Sequence, residues 1–186
     1  MKVKLHLYGL LILSFLWSCS GNTGEESSGD ANFFPLKEFI EVQAEQVIGR
    51  TLFKEVKVNG EKESSSFVPD YEEWLKELDF FIQADINSPV LANAYETKRS
   101  DRYLIHELKA GENGKIKKIV VEYSKGEIRQ VSFQSETENP FYKSQIRGVV
   151  GFHGATKLMD NFSVETIQEV IFSKPNKIVI SAHVRS

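Results

Sequence analysis

Beyond Pro89, the spacing of turns constrains the fold of this chain more than any other feature. Gly111-Glu112-Asn113-Gly114, Ser124-Lys125-Gly126, Glu138-Asn139-Pro140 and Ser173-Lys174-Pro175-Asn176 are turn-forming clusters separating segments of strand character. Connections this short join antiparallel neighbours, because a parallel crossover needs about a dozen residues or more. Strands are expected near residues 93–97, 103–109, 115–123, 127–134, 142–152, 165–172 and 177–184. The last is the clearest. Ile178, Ile180, Ala182 and Val184 share one phase and Val179, Ser181, His183 and Arg185 the other, the mark of a sheet with one buried face. Ile146, Gly148, Val150 and Phe152 repeat that alternation, with Gly148 leaving room on the inner face for a helix or a ligand. Over 115–123, Ile119, Val121 and Tyr123 keep one phase while Ile116 and Val120 take the other, which predicts a partly apolar outer face.

Before Pro89 the period changes. Leu36, Phe39, Ile40, Gln43, Ala44, Val47 and Ile48 recur at helical spacing between Pro35 and Gly49. Asp70 followed by Glu73 has capping-box spacing, and Tyr71, Trp74, Leu75, Leu78 and Ile82 form the stripe of a second helix, with Phe81 beside it. Asp85-Ile86-Asn87-Ser88-Pro89 should end that helix, since proline disfavours helical geometry at the residue before it. Between the helices, Leu52, Lys54, Val56 and Val58 alternate well enough for a strand over 51–58, and 61–66 reads as an exposed loop. The expectation is a single α+β domain over residues 33–186. It is a predominantly antiparallel, curved sheet of seven or eight strands, with two amphipathic helices from its N-terminal half packed on it. The 41% hydrophobic and 26% charged content of the 186 residues suits one such domain and argues against disorder. The single cysteine excludes an internal disulfide framework and any multi-cysteine metal site.

Residues 1–18 have the form of a secretory signal. Lys2 and Lys4 precede an apolar run from Leu5 to Trp17. As a helix, residues 5–18 would span about 21 Å, whereas crossing a bilayer core takes about 30 Å and roughly 20 residues. No later stretch approaches that length without charges, so no permanent transmembrane helix is expected. The run closes on Leu16-Trp17-Ser18-Cys19, which resembles the lipobox of bacterial lipoproteins: an aliphatic residue three before the cysteine and a small one directly before it. Trp17 is bulkier than that pattern's usual residue. The resemblance implies cleavage between Ser18 and Cys19, a diacylglyceryl thioether on the Cys19 sulfur, and an acyl group on the new amine. Two or three acyl chains anchor a protein stably where one holds it only reversibly. The implied partner is therefore a membrane of the bacterial cell envelope, taken to be the outer one, with the body facing the periplasm or the surface.

Residues 19–32 follow as a polar, Gly- and Ser-rich tether in which Ala31 is the one apolar residue after Cys19. Loss of Lys2 and Lys4 with the signal leaves 21 basic against 26 acidic side chains, a formal charge of −5. A body that acidic is a poor nucleic-acid binder, and the short Lys115, Lys117, Lys118 patch lacks interleaved aromatics.

Motifs for catalysis or metal binding are nearly absent, and no cofactor or metal is expected. His106, His153 and His183 belong to no HxH or HExxH arrangement and read as solvated strand histidines. Asp85-Ile86-Asn87 starts like a calcium loop, but Pro89 and Val90 stand where a ligand and a glycine belong, so it reads as a turn. Residues 148–154 are glycine-rich without the spacing of a phosphate cradle, and read as a bulged or closely packed strand. Glu72, Glu73, Lys76, Glu77 and Asp79 make an ordinary solvated helix face. A non-catalytic binding module for an apolar ligand or lipid is the leading expectation, and its element order is similar to that of half-barrel lipoprotein carriers. Phe39, Ile40, Trp74, Leu75, Phe81, Ile146, Val150, Phe152, Ile178 and Ile180 would line its cavity or fill its core. The alternative is a scaffold or assembly subunit docking on another envelope protein; a hydrolase is a remote third.

Overall fold

A computed structural model describes residues 33–185, so the expected signal and tether, with Ser18 and Cys19, fall outside the described residues. Helix α1 (Leu36–Gln46), strands β1 (Thr51–Val58) and β2 (Glu61–Phe67), helices α2 (Tyr71–Glu77) and α3 (Asp79–Ile82) and a 3-10 turn (Pro89–Leu91) come first. Seven strands follow: β3 (Tyr95–Arg99), β4 (Tyr103–Leu108), β5 (Ile116–Ser124), β6 (Glu127–Asn139), β7 (Tyr142–Phe152), β8 (Met159–Val170) and β9 (Asn176–Arg185). The strands form one open sheet in the order β2-β1-β9-β8-β7-β6-β5-β4-β3, antiparallel at every pairing. The meander from β3 to β9 follows from the short turns. The β1–β2 hairpin then extends it beside β9, with Thr51 opposite Arg185 and Val58 opposite Ile178.

Four sequence expectations are corrected. Residues 61–66 are not a loop: β2 pairs with β1 from Leu52–Phe67 to Val58–Glu61. Asn59 and Gly60 both take positive φ, 51° and 101°, the combination a tight Asn-Gly hairpin turn needs. The side chains of β2 are exposed except for a half-buried Phe67, so backbone pairing rather than packing makes this strand, and the count becomes nine. The second helix is broken at Leu78 (φ −100°, ψ 5°), dividing into α2 and α3. Strand β8 starts at Met159 rather than near Glu165. Finally, Ile116 does not face outward: a register shift between Ile116 and Lys118 returns it to the inner face opposite Ser135, where it is buried.

The core lies between the three helices and one face of the sheet. Leu36, Ile40, Ala44 and Val47 of the α1 segment and Trp74, Leu78 and Phe81 of α2 and α3 retain no exposed surface, nor do Leu52, Ile119, Val121, Val131 and Val150 beneath. The capping box at Asp70 is formed, its carboxylate accepting the Glu73 N–H and the Glu73 carboxylate the Asp70 N–H. Lys54 on β1 reaches up to Glu77 at 2.6 Å, tying α2 to the sheet. The space at Gly148 is taken by a neighbouring strand's ring, not by a helix or ligand. A Cβ there would stand 2.2 Å from Phe133, whose ring meets Phe81 edge-on at 5.3 Å. The expected irregularity in residues 148–154 falls as a register shift between Gly151 and Phe152.

The outer face carries Val120 beside Ile105, so it is partly apolar over β5 as expected, and it is laced with ion pairs, including Lys177–Glu165 at 2.5 Å, Arg102–Glu122 at 3.0 Å and Lys118–Glu107 at 3.2 Å. Partner lysines, through hydrogen bonding first and charge second, lower the carboxyl pKa values of Glu107 and Glu165.

Candidate functional site

Where the chain enters the body, three side chains fasten it. Pro35 stands at the N-cap of α1 and has no side-chain oxygen to offer, so a carboxylate arrives from elsewhere: Asp85 Oδ2 accepts the Lys37 N–H at 3.0 Å. Asn87, whose N–H donates to Asp85 Oδ1, accepts the Phe33 N–H at 3.2 Å and donates to the Phe34 carbonyl at 3.1 Å. The Asp85-Ile86-Asn87 turn is thus a clamp on residues distant in sequence. His106 completes it, accepting the Phe34 N–H on Nε2 at 3.0 Å while the Phe33 ring packs edge-on against the imidazole.

His106 corrects the expectation of a solvated histidine, since only 1% of it is exposed. The signal was present, because His106 shares its phase with Leu104 and Leu108 on β4. Its Nδ1 lies 2.9 Å from the Thr97 hydroxyl. Because Nε2 accepts a backbone N–H, the neutral ring carries its proton on Nδ1 and donates it to Thr97. The ring therefore has no free lone pair to take a proton from that hydroxyl, and the pair is not a nucleophile with its base. Burial first, and the Arg99 charge second, lower the His106 pKa from 6.5. His153 is exposed and its Nδ1 accepts the Ala155 and Thr156 N–H groups, while His183 is exposed on the outer phase of β9. Among the described residues, no group of three or more His, Cys, Asp or Glu side chains is arranged to hold a metal ion, and no helix is long and apolar enough to cross a membrane.

The ten residues put forward as cavity walls fall into two sets. Ile40, Trp74, Phe81 and Val150 have no accessible surface and Phe152 has 1%; a side chain facing a void large enough for water would keep some, so these five are packing. Phe39, Leu75, Ile146, Ile178 and Ile180 are half-buried. Phe39 stacks edge-on between Phe34 and Phe152, at 5.2 Å from each. Ile146 borders a slot of about 90 Å³ under α3, walled by Phe80, Ile116 and Phe133 and carrying Gln83, Lys115 and Ser135.

A larger hollow, about 360 Å³ and open to solvent, lies where the β6–β7 and β8–β9 turns meet at one end of the sheet. The Ile171 N–H donates to the Phe141 carbonyl at 3.0 Å, so the two turns form one unit. Its apolar side chains face water: Phe141 is 68% exposed, Val170 and Ile171 48% each, and Phe172 fully. Phe172 also sits at φ 64°, a left-handed conformation that an aromatic residue adopts at a cost of roughly 1–2 kcal/mol. Sequence reasoning read Val170, Ile171 and Phe172 as the end of a strand, whereas β8 stops at Val170. Their closeness to Ser173-Lys174-Pro175 was the signal that they cap a turn.

No protein-family model, curated protein or solved structure matches the chain.

Proposed function

We propose that this chain is an acyl-anchored lipoprotein of the bacterial cell envelope whose body is a non-catalytic binding module working through its surface. Cleavage before Cys19 and acylation of its sulfur and amine would hold the body on the outer membrane, facing the periplasm or the surface. One observation carries the surface reading: the best candidate cavity walls, Trp74, Phe81 and Val150 among them, touch no space a water can enter, while four apolar side chains at the end of the sheet face solvent. That favours contact through the surface over ligand storage between helices and sheet. The slot under α3 supports the second reading, an apolar ligand or lipid held between helices and sheet. At about 90 Å³ it suits the end of a chain rather than a whole acyl group.

Intact-mass spectrometry of protein extracted from its native membrane tests the anchor. A mass equal to residues 19–186 plus two or three acyl chains is expected, and a bare thiol on Cys19 overturns the proposal. Native mass spectrometry of the same material separates the readings, because co-purifying lipid beyond the covalent chains favours the slot and its absence favours the surface.

A further inference from the structure

We infer that the apolar end of the sheet, Phe141 with Val170, Ile171 and Phe172, is a foot that dips into the lipid surface to which the chain is anchored. The inference rests on the acyl-anchor reading and adds to it an orientation for the body. Three observations fit lipid as the occupant.

The first is area. A fully exposed Phe172, a largely exposed Phe141 and two half-exposed aliphatic residues present on the order of 500 Å² of apolar surface. That matches the largest patches on ordinary monomers, which is ample for a weak insertion into lipid. A weak lipid contact suffices once a second anchor holds the body at the membrane, because the tether makes insertion effectively intramolecular.

The second is reach. The 14 residues after Cys19, up to Phe33, cannot extend beyond roughly 50 Å. Phe33 packs on His106, whose row across the sheet runs through Ile119 and Phe133 to Gly148. From Gly148 the foot lies six residues down β7, about 20 Å, and the row itself crosses three strand spacings, about 15 Å. An anchor at Cys19 and a foot at Phe172 can therefore rest on the same bilayer.

The third is charge. Around the foot, Lys143, Lys174 and Lys177 are matched by Glu136, Glu138 and Glu169, and Lys143 is paired with both Glu136 and Glu138. Nothing there selects anionic headgroups, so the contact is hydrophobic and insensitive to salt.

The test uses the processed F172W chain, extracted from its membrane and reconstituted in phosphatidylcholine vesicles carrying nitroxide-labelled lipid. Trp17 leaves with the signal and Trp74 is buried, so the accessible indole is the one at position 172. Expected are a blue-shifted emission, quenching by the nitroxide lipid and shielding from aqueous acrylamide, all unchanged when salt is raised tenfold. Quenching by acrylamide but not by nitroxide lipid, in protein that floats with the vesicles, overturns the foot and leaves the anchor standing. Protein that fails to float and carries a bare thiol overturns the anchor itself. Shielding from both quenchers with a doubled native mass would mean that a second copy covers the patch, and also overturns the inference.

Discussion

Follow β7 from one end to the other and its surroundings invert. Val150 and Phe152 sit beneath the helices, with Phe39 of α1 stacked edge-on against Phe152, and have at most 1% of their surface exposed. Past Gly148 the same phase runs through Ile146 and Ser144 to a half-buried Tyr142, and the turn beyond it carries Phe141, 68% exposed. Strand β8 repeats the change, from a buried Phe162 and Val164 through Thr166 and Gln168 to an exposed Val170. At the helix-covered end, apolar side chains are used up inside the chain. At the other end the inward phase turns polar and the apolar groups move out to the turns, where they add nothing to the core. What stabilises the first region is internal, and what the second can stabilise is an association.

The covered end should therefore be the sensitive one, and Trp74 its most sensitive point. W74A is expected to cost about 3–5 kcal/mol, from lost burial and the cavity left behind, read as a fall in the denaturation midpoint. The indole N–H of Trp74 is buried with no acceptor among the described residues, an uncompensated polar group. W74F keeps most of the ring and removes that N–H, so it should recover most of the loss. If W74F were as damaging as W74A, an acceptor for that N–H would have to exist.

Next in size is G148A. The added Cβ would lie 2.2 Å from the Phe133 ring, itself held by Phe81, so the ring cannot turn aside freely. A cost of about 1–3 kcal/mol is expected. The double variant G148A/F133L should restore part of it, and additive losses in a denaturant cycle would show that the two residues are not coupled.

How much of this contrast the sequence carries depends on whether a residue's role is local. The alternation ending in Ala182 and Val184, the capping box at Asp70 and the turn clusters are local, and each corresponds to the structure, except that Glu138 and Asn139 still pair in β6 and the turn falls at Pro140 and Phe141. Strand β2 is not local: Glu61-Lys62-Glu63-Ser64-Ser65-Ser66 has no buried side chain and becomes a strand only because β1 offers its backbone. The clamp is less local still, since nothing in Asp85-Ile86-Asn87 announces that its side chains will serve Phe33, Phe34 and Lys37, about fifty residues earlier. Of the functional reading, the proposed anchor rests on a sequence motif. The exposed end does not, because apolar residues before a turn look the same whether a helix covers them or water does.

The clamp supplies a pH-dependent prediction at the helix-covered end. Since burial, then Arg99, hold the His106 pKa below 6.5, the folded state favours the neutral ring. That preference contributes its full stability above about pH 6.5 and loses it as the pH falls through 6.5 towards the lower folded value. Protonation of Nε2 also removes the acceptor for the Phe34 N–H. Amide exchange at Phe34 should therefore quicken relative to the core strands as the pH falls below about 6.5. In H106Q the exchange rate, corrected for its intrinsic pH dependence, should no longer track pH; an unchanged profile would remove His106 from the latch.

The smallest expected effect has the opposite sign. Phe172 combines full exposure with a left-handed backbone, so its side chain gains nothing from the fold while its conformation is strained. Glycine takes that conformation freely, and F172G should raise stability by up to about 1 kcal/mol, less the added freedom of the unfolded chain. No destabilisation is expected, in contrast to W74A and G148A at the other end of the sheet. The same variant should weaken the grip of the body on phosphatidylcholine vesicles, seen as greater amide exchange protection lost across residues 140–142 and 170–173 than the added glycine causes in detergent. If F172G instead lowered stability, Phe172 would belong to the fold, and the division between the two ends of β7 and β8 would lose its meaning.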